Sequence, residues 1–292
     1  MTAVVVVGGA NLDLKARTTA VVVPGTSNPG SLATSPGGVG RNIAENLARL
    51  GTPTALVAAV GQDLFGDDLL GATAAAGVDV SAVRRVPGAT GTYLAVLEPG
   101  GELSVGVSDM AATATLGPEH LDRALLAGAD LVVLDGNLRA DTLAAAWTAA
   151  TEAGVRVVLD PVSVPKAAAL AHLVGERPLW CVTPNSGELA VLGGSASVLH
   201  ARGVELVWVR RGAEGSVLSG PDGELELATV PGEVVDVTGA GDAMLAAFCH
   251  ALLCGVSPGE AAAYGHAAAA LTVASADTVR SDLTDELVRS RL

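Results

Sequence analysis

Six short apolar runs, spaced along the chain and alternating with helix-like stretches, constrain its fold more than any other feature. They read AVVVV (3–7), ALVAAV (55–60), LVVLDG (131–136), VRVVLD (155–160), LWCVTP (179–184) and ELVWVR (205–210). Between them lie Ala- and Leu-rich stretches at 43–51, 70–77, 142–154 and 187–194. A strand of four to seven apolar residues with no polar alternation must be covered on both faces, which suits a parallel sheet. Right-handed crossovers then wind helices onto both sides of it. The expected class is α/β: a three-layer αβα sandwich around a mostly parallel, doubly wound sheet. No repeat, low-complexity tract or linker interrupts the pattern, so one domain is expected over 1–292.

Two regions break the rhythm. Residues 14–36 are rich in Thr, Ser, Pro and Gly, and residues 90–110 alternate apolar and polar residues around EPGGE. The second reads as a β-hairpin with a Gly-Gly turn. Together these segments are expected to form a small β lid. Such a flap either covers a ligand or offers an edge that pairs with another subunit.

Half of the residues are hydrophobic and the mean hydropathy is +0.47, yet no uncharged apolar run reaches the roughly 18 residues of a membrane span. The opening MTAVVVVGGANLDL reads as a first buried strand rather than a signal peptide, so a cytoplasmic protein is expected. A net charge of −14 opposes a nucleic-acid partner, because like charges repel and no Lys/Arg cluster offsets them. Cys181, Cys249 and Cys254 form no CxxC pair and suit a reducing compartment; the five histidines show no metal-ligand spacing.

The chemistry points to glycine-rich turns that open helices. In DVTGAGDAMLAAF the helix-like run begins after TGAGD, so its unpaired N–H groups and partial positive charge face whatever Gly239, Ala240 and Gly241 approach. That arrangement suits an anion hole. Asp242 either caps this helix or accepts a proton from an attacking hydroxyl. SPGGVGRNIAENLARLG (35–51) is a second such entry, where Gly37, Gly38 and Gly40 admit a small ligand and Asn42 offers an amide. It is neither a dinucleotide fingerprint nor a P-loop. Asn11 and Asp13, in GGANLDL, fall at the carboxyl end of the first strand, where such folds bind ligands. In VTPNSGEL, Asn185 and Glu188 form a capping box or serve a nucleotide, with Glu188 on the water shell of Mg²⁺. VRRGAEGSVL offers Gly212 and Gly215 to a nucleotide after a strand.

These pieces in this order resemble the ribokinase-like (phosphofructokinase-B-type) kinases of sugars and nucleosides. GGANLD, GGVGRNIAENLARLG, GQDLFGDDL, DP at 160–161, PNSGE, RRGAEG and DVTGAGDAM carry the resemblance over nearly the whole chain. It implies ATP, Mg²⁺ and phosphoryl transfer to a primary hydroxyl, with Asp242 as base, Gly239, Ala240 and Gly241 as anion hole, and a homodimer through the lid. It implies Asn11, Asp13, Gly38, Arg41 and Asn42 around the substrate, and Asn185, Glu188, Arg211, Gly212 and Gly215 around the nucleotide. Asp236 and Thr238 would hold a monovalent cation such as K⁺, although VASADTV (273–279) departs from the ribokinase pattern there. Within the family, SNPG, Arg41 before Asn42, SDM and DPVSVPK are similar to pseudouridine kinases. Arg41 also reads as a solvated helix residue, and Lys166 either reaches the site or, as the favoured reading, is an exposed lysine in a proline-flanked loop. Kinases of ribose, another sugar or an ordinary nucleoside, or a catalytically silent nucleoside-binding protein, are the rival readings.

Overall fold

The structure, a computed structural model, describes residues 2–292. In chain order its strands are β1 (Val4–Val7), β2 (Asn11–Thr18), β3 (Gly30–Gly37), β4 (Thr54–Val57), β5 (Ala59–Gly61), β6 (Arg84–Val86) and β7 (Thr92–Leu97). Then follow β8 (Leu103–Asp109), β9 (Leu131–Asp135), β10 (Arg156–Asp160), β11 (Leu179–Val182), β12 (Val204–Arg210), β13 (Ser216–Gly220) and β14 (Gly223–Leu227).

Eight strands form the main sheet in the order β14-β13-β12-β11-β10-β9-β1-β4. All its pairs from β12 to β4 are parallel. The apolar runs explain this. Val4 and Val6 point into one core, Val5 and Val7 into the other, and neither face sees water. The three-layer α/β sandwich is therefore present as expected. Two features lay outside the sequence reading. The hairpin β13–β14 extends the sheet antiparallel at one edge. The run 55–60 also divides at Ala58: β4 stays beside β1, while β5 leaves to pair with β6.

On one face lie helices Val39–Arg49, Ala240–Leu253 and Pro258–Val273. The last two are alanine-rich, which lets their backbones come close without bulky spacers. Gly265 is required at their crossing: a Cβ there would lie 2.8 Å from the Met244 carbonyl oxygen and 2.7 Å from the Trp208 ring. Trp208 in turn packs on Phe248 at 4.7 Å between ring centroids. This scarcity of aromatics is offset by many small, fully buried side chains.

The chain runs from β1 to β4 on one side and returns to β9 on the other, so connections diverge at the carboxyl ends of β1 and β9. This is the topological switch point where such sheets bind ligands. Above it stands the small sheet β3-β2-β7-β8. Its β7–β8 hairpin turns through Glu98 and Gly101, where Gly101 N–H donates to the Glu98 carbonyl. Strand β2 is longer than the broken pattern suggested. It begins at Asn11, so Asn11 and Asp13 belong to the lid's root rather than to a turn. No helix among the described residues is long and apolar enough to cross a membrane.

Candidate active site

Both glycine-rich entries converge on the switch point, and a buried carboxylate holds one of them there. Asp135, at the end of β9, accepts N–H groups from Gly9 and Gly40 at 2.8 Å each, and from Asn137 at 2.5 Å. Burial raises its pKa, and these hydrogen bonds oppose the rise. Gly40 can lie there only without a side chain, because a Cβ would sit 2.8 Å from the Gly8 Cα. The sequence reading missed Asp135; it stood inside LVVLDG as an ordinary strand end, with no turn or motif to mark it.

On the substrate side, alternation along β2 puts Asn11 and Asp13 on one face. Asn11 Nδ2 donates to Asp13 Oδ1 at 2.7 Å, and burial raises the Asp13 carboxyl above its ordinary range. Gly38, with φ of 98°, opens helix Val39–Arg49 against the Gly9 carbonyl. From that helix Asn42 Nδ2 donates to Asp242 Oδ2 at 2.8 Å. Arg41 is not solvated: it is only 3% exposed. Its guanidinium pairs with Glu45 and donates to Thr73 Oγ1 (3.3 Å), the Pro36 carbonyl (3.2 Å) and Asn42 Oδ1 (3.0 Å). It therefore meets the site through Asn42. Lys166 also departs from expectation. It lies on helix Val164–Leu170, half-buried, with Nζ bonded to Asn137 Oδ1 beside Gly9.

On the other side of Asp242 a cleft of about 650 Å³ opens, lined by Asn185, Glu188, Gly212, Gly215, Ala240 and Gly241 among others. The two readings of PNSGE coincide. Asn185 and Glu188 form a capping box, with Glu188 N–H donating to Asn185 Oδ1 and Asn185 N–H to Glu188 Oε2, both at 2.9 Å. The same two residues wall the cleft. Arg211 points elsewhere, toward Glu226 at 3.6 Å. Its neighbour Arg210 faces the cleft instead, paired with Asp160 Oδ2 at 3.1 Å and donating to the Gly241 carbonyl at 3.4 Å. Arg210 is the last residue of β12, and the chain leaves the strand at Arg211 to enter the 3-10 turn Gly212–Glu214, so only the first of the two arginines faces the cleft.

The anion turn begins at Gly239, whose φ of 78° is left-handed and whose missing Cβ would otherwise lie 2.0 Å from the Thr278 carbonyl oxygen. Ala240 and Gly241 follow as the first residues of the helix, so their N–H groups have no intrahelical partners; the Ala240 N–H donates instead to the Val237 carbonyl at 3.3 Å. Asp242, partly exposed to the cleft and otherwise enclosed, has its pKa pushed up to about 8. Burial is the main cause; the Asn42 hydrogen bond opposes it and the Asp160 charge adds to it. Glu188 is raised too, first by burial and then by Asp160. Asp160, Glu188 and Asp242 thus crowd negative charge on one cleft, and Arg210 is the only Lys or Arg lining it among the described residues. A divalent cation accompanying a nucleotide would relieve that crowding, so the donor set fits Mg²⁺.

The chain is matched over residues 1–285 by the model of the pfkB family of carbohydrate kinases. It is 32% identical to a pseudouridine kinase of Escherichia coli over 96% of this chain and 93% of that one. It is 35% identical to an uncharacterized sugar kinase of E. coli, YeiI, over 93% of this chain and 78% of the relative. Its fold superposes on an Arabidopsis thaliana ribokinase complexed with ribose and ATP, with a TM-score of 0.86, 27% identity and coverage of 99% and 98%.

Proposed function

This chain belongs to the pfkB family of carbohydrate kinases, and from that premise we propose that it transfers the γ-phosphoryl group of ATP to the 5′-hydroxyl of pseudouridine. The observation that carries the reading is the position of Asp242. It lines the nucleotide cleft on one side and is bonded to the substrate-side Asn42 on the other. An acceptor hydroxyl between them meets a carboxylate of raised basicity.

Asn11 and Asp13 hold paired ribose hydroxyls, and Asn42 keeps the Asp242 carboxyl turned toward the acceptor. Asp242 takes the proton as the hydroxyl oxygen attacks phosphorus. The N–H groups of Gly239 and Gly241, with Ala240 between them, face the transferred group, while Gly212 and Gly215 lie along the nucleotide. Glu188 would hold Mg²⁺ through water, and the ion would supply charge neutralisation at the phosphates. The lid closes over the nucleoside and keeps water from the phosphoryl group.

Two observations favour a nucleoside acceptor and this base. The pseudouridine kinase relative matches along nearly its whole length. Asn137 and the Lys166 ammonium stand beside Gly9, where a base rich in carbonyl and N–H edges finds partners. The outer face of the lid carries exposed Leu32, Leu103, Val105 and Val107, which supports a homodimer through this sheet. Free Cys181, Cys249 and Cys254 suit a cytoplasmic setting.

The test is ADP release with pseudouridine, uridine, adenosine and ribose. Pseudouridine should give the highest kcat/KM. A higher value for ribose or adenosine would move the chain to another substrate of the family. Absence of ADP with every acceptor would favour a silent binding protein.

A further inference from the structure

One charged contact in the molecule joins the lid to the phosphate-binding turn. Residues Asn11, Asp13 and Lys15 share one face of β2, two apart along the strand. The first two face the substrate position, and Lys15 extends the row toward the loop ahead of TGAGD. Its Nζ lies 3.0 Å from Asp236 Oδ2, across 221 residues of sequence. The other oxygen of Asp236 accepts the Thr238 N–H at 2.9 Å and the Thr238 hydroxyl at 2.6 Å.

A monovalent metal ion at this carboxylate, as the family resemblance implies, would have to stand where the Lys15 ammonium lies against one oxygen, while Thr238 donates twice to the other. The neighbouring cavity of about 400 Å³ is lined by Lys15, Arg41 and Arg49 against Glu45 and Asp277, so its charged walls favour anions over a second cation. The residues present do not fit a metal ion at Asp236.

We propose that the Lys15 ammonium is the resident cation of this site, carried in by the lid and standing at Asp236 in place of a monovalent metal ion. An ammonium is a compact point charge with three donors, equal in charge to K⁺. The turn beyond Asp236 is packed so that its position is transmitted. Val235 and Asp236 N–H groups both donate to the Val273 carbonyl, at 2.7 and 3.2 Å, and Gly239 abuts Thr278. Fixing Asp236 therefore fixes the donors that follow it. With about a third of each side chain exposed, the pair adds little to global stability; its effect is local, on the aim of the N–H groups.

This inference rests on the kinase reading, and its test separates the two. ADP formation and thermal midpoints are measured in potassium chloride and in tetramethylammonium chloride at equal ionic strength. The proteins compared are the wild type, Lys15→Met and Lys15→Arg. The wild type and Lys15→Arg should change less than about twofold in turnover between the salts, with unmoved midpoints. Lys15→Met should lose roughly tenfold in tetramethylammonium and recover in K⁺. Its midpoint should rise by about 2 °C in K⁺ as the ion occupies the vacated carboxylate. A wild type that needs K⁺ or is stabilised by it overturns the proposal. So does a Lys15→Met protein indifferent to K⁺ in its midpoint. If no acceptor yields ADP in either salt, the kinase reading fails, while the thermal comparison still decides the role of Lys15.

Discussion

Asn42 Nδ2 and Asp242 Oδ2 lie 2.8 Å apart although 200 residues separate them in the chain. The contact joins the first turns of two helices, each entered through glycine, and fixes which way the carboxyl faces. Asp242→Asn keeps a neutral side chain of the same shape, with a carbonyl oxygen for Asn42, and removes the base. Turnover should fall a hundredfold or more, with the KM for ATP little changed. Steady-state kinetics with the best acceptor checks this.

Burial pushes the Asp242 pKa up to about 8, so this carboxyl, the proposed base, is ionised only toward alkaline pH. The rising limb of kcat/KM against pH should report an apparent pKa near 8. The stability consequence has the opposite direction. Between the ordinary value of 3.8 and about 8 the folded protein holds a proton that the unfolded chain has released. Stability from this group is thus full at acid pH and lost as pH rises through that window. Asp242→Asn should match the wild type at low pH and exceed its thermal midpoint by about 2–4 °C above the window.

Arg41 is buried and bonded to Asn42 Oδ1 while pairing with Glu45. Arg41→Met removes the guanidinium that holds the amide and leaves Glu45 with Arg49 alone. Urea unfolding should show a loss of about 2–3 kcal/mol. Turnover per folded molecule should also fall, because the amide on Asp242 is no longer held; unchanged turnover would show that Asn42 orients itself.

Gly239 and Gly194 both have positive φ, at 78° and 82°, but differ in surroundings. A Cβ at Gly194 meets nothing within 4 Å, whereas one at Gly239 would lie 2.0 Å from the Thr278 carbonyl oxygen. Gly194→Ala should cost about 1 kcal/mol with activity intact. Gly239→Ala should cost more and abolish turnover, since the turn has to move. Denaturation and ADP release on the pair separate conformational strain from collision.

Lys166→Met removes the ammonium bonded to Asn137 without touching the nucleotide cleft. The KM for pseudouridine should rise roughly tenfold, the scale of one charge-assisted hydrogen bond, while the KM for ATP stays constant. An equal effect on ribose, which has no base, would show that the lysine serves the floor of the site rather than the base.

The main sheet was legible because apolar runs with no alternation leave a chain few choices. The turn at 239–241 and the PNSGE box were legible because helix entries carry their own glycines and caps. Asp135 and Arg210 were not. Each gains its role from where a strand end lands after the sheet is assembled, and nothing local marks it. Arg41 shows the same limit in reverse. Its place before Asn42 drew attention, but only packing against Thr73 and the lid strand reveals that it acts through its neighbour. The expected strand at 55–60 divided at Ala58 because pairing with β6 outweighed continuity of hydrophobic pattern.

Gly9 and Gly40 hang from a single oxygen of Asp135. The ground beneath the acceptor therefore cannot drift piecemeal, since loosening either loop unseats the other. Innovation toward a different acceptor would have to be written on the overhanging flap, whose strands are free to change length and side chains away from their roots. A lineage of such chains should keep its foundation and remodel its roof.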